Sequence, residues 1–211
     1  MVIVVTGGIG SGKSQVCRII ADRYGFPVYS ADLRVRQLYV EFPELLDALE
    51  TSLNCALRND EGTFQPSVLA GKIFSDNSAL KTVESVVFPY LSADFAAFMQ
   101  RNPGHVVFES ATVLEKDFFA DFGDAVILVD APVELRVDRA CRRDGADRQR
   151  VMARVDAQPL MNAVSDGSVN DCPEDSPFAK AFARVDKVIM NDGTMDKLEE
   201  AVISALDDML I

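Results

Sequence analysis

The chain has 211 residues, 48% of them apolar, and a formal net charge of −12 at pH 7. That length suits one domain with at most an added lobe, and the apolar content excludes disorder as the default. The acidity argues against a general nucleic-acid or anionic-membrane binder.

No apolar run approaches the ~20 residues needed to span a bilayer. The opening MVIVVTGG makes a poor signal peptide, lacking a basic segment and breaking at glycine, so a cytoplasmic address is expected. Cys17, Cys55, Cys141 and Cys172 form no CxxC pair, and the chain has one histidine. A Cys/His zinc site is thereby disfavoured, and buried reduced thiols are expected. The charge is uneven. Residues 136–154 carry seven arginines against three aspartates, a local +4 that leaves −16 for the rest. Such an island suggests one anionic ligand handled in one place.

In chain order, VIVVT (2–6) reads as a buried parallel strand ended by glycines. KSQVCRIIADRYG follows with Val16, Ile19, Ile20 and Tyr24 at helical spacing and Gly25 as a stop. FPVYSAD (26–32) reads as a second short strand, and GHVVFE (104–109), AVILVDA (125–131) and DKVIMN (186–191) as three more. Helical patterns occupy 133–143 and 194–209. This alternation predicts a parallel sheet flanked by helices. Residues 33–102 break the rhythm with helical periods and no convincing strand, which predicts an inserted helical lobe. Residues 163–177, AVSDGSVNDCPEDSP, are turn-rich and read as a loop or flap.

The run Gly7-x4-Gly12-Lys13-Ser14 fits the phosphate-loop pattern in full, after a strand and opening a helix. Its glycines let backbone N–H groups approach phosphate oxygens, and the helix N-terminus adds its dipole. The expected nucleotide contacts are Gly8, Gly10, Ser11, Gly12, Lys13, Ser14 and Gln15. Lys13 would reach the β/γ-phosphates and Ser14 would ligate Mg²⁺.

Asp32 closes the second strand, where it could orient or deprotonate an acceptor hydroxyl, or equally cap the helix that follows. Glu109 and Asp130 end two further strands. Either could serve the Mg²⁺ ion or cap a loop. Arg136, Arg139 and Arg143 share one helical face flanked by Arg142, suited to phosphate or to solvent. Asn191 follows the last strand, where a base-binding loop or an ordinary turn would place it. His105 has no evident partner and reads as structural.

No N-K-x-D guanine reader is present, and a motor ATPase would need more chain. The order that remains, an acceptor lobe after strand two and an arginine-bearing lid after strand four, suits a small kinase. VTGGIGSGKS with PVYSAD, then FESATVLE, VELRVDRACRRDG, Gln158 and VIMNDG, resembles the dephospho-CoA kinase family over nearly the whole chain. The resemblance implies a P-loop NTPase fold with its core at 1–32, 103–135 and 185–211, a helical acceptor lobe at 33–102 and a lid at 136–184.

The activity it implies is phosphorylation of the ribose 3′-hydroxyl of dephospho-CoA by ATP with Mg²⁺, the last step of coenzyme A synthesis. It further implies Asp32 as the base-like carboxylate, Lys13, Arg139 and Arg143 on the phosphates, and Mg²⁺ near Ser14 and Glu109. The partner is then a small molecule, with no nucleic acid or membrane. Departures cluster toward the acceptor: Ser30 replaces the first acid of D-A-D, Pro66 an arginine, Phe88 the histidine of His-Pro, and Ala111 a proline. Another hydroxyl acceptor, or a nucleotide-binding regulator without transfer activity, stands as the alternative.

Overall fold

The computed structural model describes residues 1–210. Met1–Tyr29 with the chain from Asn102 onward makes one compact unit, and Ser30–Arg101 makes a second.

The first unit is built on a five-stranded sheet of order β2-β3-β1-β4-β5, with β1 at Val2–Thr6, β2 at Val28–Ser30, β3 at Val106–Glu109, β4 at Ala125–Asp130 and β5 at Lys187–Met190. β1 runs parallel to β3 and to β4, and β4 parallel to β5. All six residues of β4 are buried, as expected for a parallel strand covered on both faces. Alternation along β1 divides the packing. Ile3 and Val5 join Val16 and Ile20 of α1 (Lys13–Tyr24) and Leu198, Val202 and Leu206 of α10 (Met195–Met209). On β3, Phe108 stacks with Tyr29 at 5.6 Å and meets Phe122 at 4.5 Å between ring centroids. Each fully buried aliphatic contributes roughly 1.5–3 kcal/mol.

Because β3 and β4 flank β1 on opposite sides, the chain after β1 emerges where the strand order reverses, which is where open α/β sheets hold ligands. The helix that follows, α1, ends as its sequence predicts, at Gly25 in the left-handed region with φ 68°.

The second unit is helical: α2 (Ala31–Glu41), α3 (Pro43–Leu53), α4 (Pro66–Ser75) and α5 (Asn77–Arg101). Buried Ala79, Val83, Val87, Leu91 and Phe95 recur every four residues along α5, forming one apolar stripe. Pro89 lies inside this helix. It is exposed, so the Ser85 carbonyl that loses its donor can turn to water. Arg34 ties α2 to α5 with a two-pronged bond to Asp94, at 2.9 and 2.8 Å.

Three expectations need correction. The second strand is only three residues long, since Ala31 and Asp32 already belong to α2. The segment 163–177 is not a plain loop. It holds the end of α8 (Pro159–Ser165) and a 3₁₀ turn at Ser168–Asp171, anchored by Val169, which is buried. The four cysteines are free, but only Cys17 is buried. Among the described residues no helix is long and apolar enough to cross a membrane.

Candidate active site

The loop between β1 and α1 wraps a cavity of about 330 Å³ lined by Gly10, Gly12, Lys13, Ser14, Gln15, Arg139, Arg143 and Asn191. Gly12 has φ 103° and leads into α1. A side chain there would stand 2.0 Å from the Asn191 amide nitrogen, so position 12 requires glycine for both backbone and space. The Lys13 ammonium folds over the loop and donates to the carbonyls of Gly7 and Gly8 at 2.9 and 3.2 Å. Ser11 is fully buried beneath the loop. The N-terminus of α1 and three cations thus surround one small volume in an otherwise acidic chain, the setting that oxyanions of a phosphate require.

The Ser14 hydroxyl donates to Glu109 Oε1 at 2.8 Å, since β3 pairs with β1 and brings Glu109 opposite Val5. A hydroxyl and a carboxylate side by side are hard oxygen donors, which suit Mg²⁺ with phosphate oxygens and water completing its shell. Asp130, the competitor for that ion, is committed elsewhere: it is buried and accepts from the Ser165 hydroxyl at 2.6 Å.

The arginines separate. α6 (Val133–Asp144) sends Arg139 to the carbonyl of Asn191 at 2.9 Å, and burial followed by the nearby Arg142 lowers its proton affinity. Arg143 pairs with Asp144 at 2.6 Å. Arg136, expected on the same face, is instead fully buried. The reason is visible in spacing: it sits three residues after Val133 and four before Ala140, on the apolar stripe of α6. Its Nε donates to the Ile9 carbonyl at 3.1 Å and its Nη1 to Ser165 at 2.9 Å.

Gln158 accepts from the Ile9 N–H at 2.8 Å, so two side chains outside the loop hold its tip. These braces were not read from the sequence, although an arginine on an apolar stripe is a signal for one. Asn191 is a third, donating to the Ser11 carbonyl at 2.8 Å. Asp32 lies in the first turn of α2, in the second unit, and Ser30 rather than Asp32 occupies the cap position. His105 packs against Phe26 in a tilted pair, 4.9 Å between centroids.

A family model described as dephospho-CoA kinase matches residues 1–164. The chain belongs to the dephospho-CoA kinase family. A dephospho-CoA kinase of Porphyromonas gingivalis is 34% identical over 81% of this chain and 86% of its own. The crystal structure of TT1252 from Thermus thermophilus is 28% identical and superposes with a TM-score of 0.78, covering 100% of this chain and 98% of its own. The dephospho-CoA kinase from Campylobacter jejuni shares the fold, with a TM-score of 0.60 at 21% identity, covering 99% and 96% of the two chains. The chain is therefore a phosphotransferase with a P-loop NTPase fold, and its family performs the final step of coenzyme A synthesis.

Proposed function

We propose that the protein moves the γ-phosphoryl group of ATP to the ribose 3′-hydroxyl of dephospho-CoA, with the residues of the cavity in defined roles. The observation that carries this reading is the convergence of Lys13, Ser14, Arg139 and Arg143 on one cavity in a chain of this family.

The backbone N–H groups of Gly10 and of Gly12 to Ser14 hold the ATP phosphates, while those of Ile9, Ser11 and Gln15 donate to Gln158, Gly8 and Gly12 and keep the loop in shape. Lys13 exchanges the Gly7 and Gly8 carbonyls for phosphate oxygens. Arg139 and Arg143 meet the charge that spreads over the transferring group. Asp32 accepts the proton of the 3′-hydroxyl as that oxygen bonds to phosphorus, and ADP leaves with the former bridging oxygen. Its support is its place two residues past β2. Mg²⁺, where Ser14 and Glu109 present their oxygens, would neutralise charge on the phosphates. Asn191 serves the nucleotide by fixing the loop. A cytoplasmic location suits the substrates.

The test is ADP release with ATP, Mg²⁺ and dephospho-CoA, against a control without acceptor. Acceptor-dependent release with coenzyme A as product is expected. Pro66 opens α4 and lines a cavity of about 910 Å³ in the second unit, which motivates a panel of other alcohols. Turnover of one of them in preference to dephospho-CoA would overturn the assignment.

A further inference from the structure

A cavity of about 610 Å³, sharing no residue with the nucleotide cradle, lies in the same compact unit, between the stretch after β3 and helices α8 and α9 (Pro177–Phe182). Its size suits a bound ring system. Three features distinguish it from a packing gap.

First, Glu115 lines it with a carboxyl oxygen, Oε1, that is buried and makes no hydrogen bond. Such a group costs free energy until something fills its lone pairs, and it calls for an explanation wherever it occurs in a native fold. Burial raises its proton affinity above that of an ordinary carboxyl group. Lys116, also at the lining, opposes that shift in part, whereas Arg184, which lines the cavity too, does not neutralise the group. That guanidinium is spent on the carbonyls of Val113, at 3.3 Å, and Phe119, and so fixes the loop carrying Glu115.

Second, Phe178 lines the cavity half-buried, with no ring partner among the described residues. Buried Leu160 adds to the same apolar lining. Third, Lys180 stands exposed at the lining with no ion-pair partner among the described residues.

We propose that this cavity binds an adenine base, that of the acceptor, with Glu115 Oε1 accepting from its exocyclic amine, Phe178 covering one ring face, and Lys180 meeting the phosphate beyond the ribose. This rests on the acceptor assignment above. Adenine places a donor, N6–H, beside an acceptor, N1. The unfilled lone pairs of Glu115 Oε1 match the donor. Hypoxanthine presents an acceptor, O6, in place of the amine, and so meets Oε1 lone pair to lone pair. Stacking against a ring supplies affinity without sequence-like discrimination. The discrimination therefore falls to Glu115.

The experiment is calorimetry on the full chain saturated with Mg²⁺ and a non-hydrolysable ATP analogue, so that the donor site is filled. Dephospho-CoA and its hypoxanthine counterpart are titrated, then adenosine and inosine 5′-monophosphates, then 4′-phosphopantetheine. The wild-type protein should prefer adenine over hypoxanthine by about tenfold or more, the worth of one to two hydrogen bonds. Glu115→Ala should abolish that preference and Phe178→Ala should weaken both partners alike. Glu115→Gln, whose amide can turn its oxygen to the amine of adenine or its nitrogen to O6 of hypoxanthine, should narrow it. Because Glu115→Ala removes an unsatisfied group, its melting temperature should not fall.

An unchanged preference in Glu115→Ala overturns the proposal. So does a loss that falls on the ATP analogue or on 4′-phosphopantetheine. Turnover is assayed separately. If dephospho-CoA is not phosphorylated, the acceptor assignment fails, while a Glu115-dependent preference for adenosine over inosine monophosphate still upholds the base site.

Discussion

Arg136 Nε donates to the carbonyl of Ile9 at 3.1 Å, so a guanidinium from α6 braces the tip of the phosphate loop from inside the fold. Its Nη2 would stand 2.0 Å from any Cβ at position 8, which reserves Gly8 for this contact. Through Ser165 the same side chain reaches buried Asp130. Burial lowers the proton affinity of Arg136, and Asp130 partly restores it. The loop is thereby tied to α8.

Replacing Arg136 by Met should destabilise the protein by about 1–3 kcal/mol, because it leaves the buried Ile9 carbonyl without this donor and removes the positive charge that faces Asp130. For a chain of this size that corresponds to a fall in melting temperature of about 2–12 °C. Arg142→Ala, an exposed change in the same cluster, should cost no more than about 0.5 kcal/mol. Thermal unfolding of the two variants side by side gives the comparison. Equal melting temperatures would remove the brace.

This contrast shows where composition misleads. Seven arginines in nineteen residues form one island in the sequence, yet their environments diverge. Arg136 is core, Arg139 is tied to Asn191, Arg143 is paired with Asp144, and Arg142 faces solvent. The helical spacing that groups Arg136 with Arg139 and Arg143 also places it among Val133, Val137 and Ala140. The apolar stripe decides its fate, because desolvation of α6 against the loop outweighs its charge.

Asp32→Asn should lower kcat by about 10²–10⁴, the usual range for removal of a general base. Binding of ATP should be unaffected, since every residue lining the phosphate cavity remains. Steady-state kinetics with calorimetric ATP binding measures both. An unchanged kcat would take Asp32 out of the reaction.

Ser14→Ala and Glu109→Gln should each raise the Mg²⁺ concentration needed for half-maximal activity, because the first removes one of the two oxygens that meet at 2.8 Å and the second removes the negative charge of the other. The double variant should be no more than modestly worse than the poorer single one, as expected for groups acting on one ion. Activity as a function of Mg²⁺ tests this. Independent, fully additive effects would contradict a shared ion.

Asp144 sits between Arg143 and Arg154, with partners at 2.6 and 2.7 Å. Arg143, and then Arg154, hold its carboxyl well below the usual carboxylate range. A depressed folded-state value means stabilisation that is complete above the unfolded value of about 4 and lost as pH falls below it. The melting-temperature difference between the wild-type protein and Asp144→Asn should therefore be constant from about pH 7 to pH 5. It should shrink only below about pH 4. A difference that disappears near pH 6 would refute the pairing.

Cys17 is buried among the sheet and α1, and desolvation, reinforced by Glu109, pushes its thiol far above the ordinary range. It should stay unreactive toward a disulfide reagent at pH 8 while Cys55, Cys141 and Cys172 react. All four should react once the chain is unfolded. A fourth fast thiol in the native protein would show that α1 opens.

The sequence by itself determined what depends on local chemistry. The glycine spacing with Lys13 and Ser14 defines a phosphate loop wherever it lies between strand and helix, and apolar runs of four to six residues mark the strands of a covered parallel sheet. Helical periodicity in residues 33–102 likewise announces helices without a strand. Tertiary structure alone decided what depends on partners distant along the chain. Glu109 meets Ser14 because β3 happens to lie beside β1, while Asp130, ending a similar strand, is captured by Ser165. Asn191 and Gln158, far away in sequence, supply the bonds that hold the loop open. Backbone groups in a loop have no partners of their own, so the fold must bring them, and no local pattern records which side chains it brings.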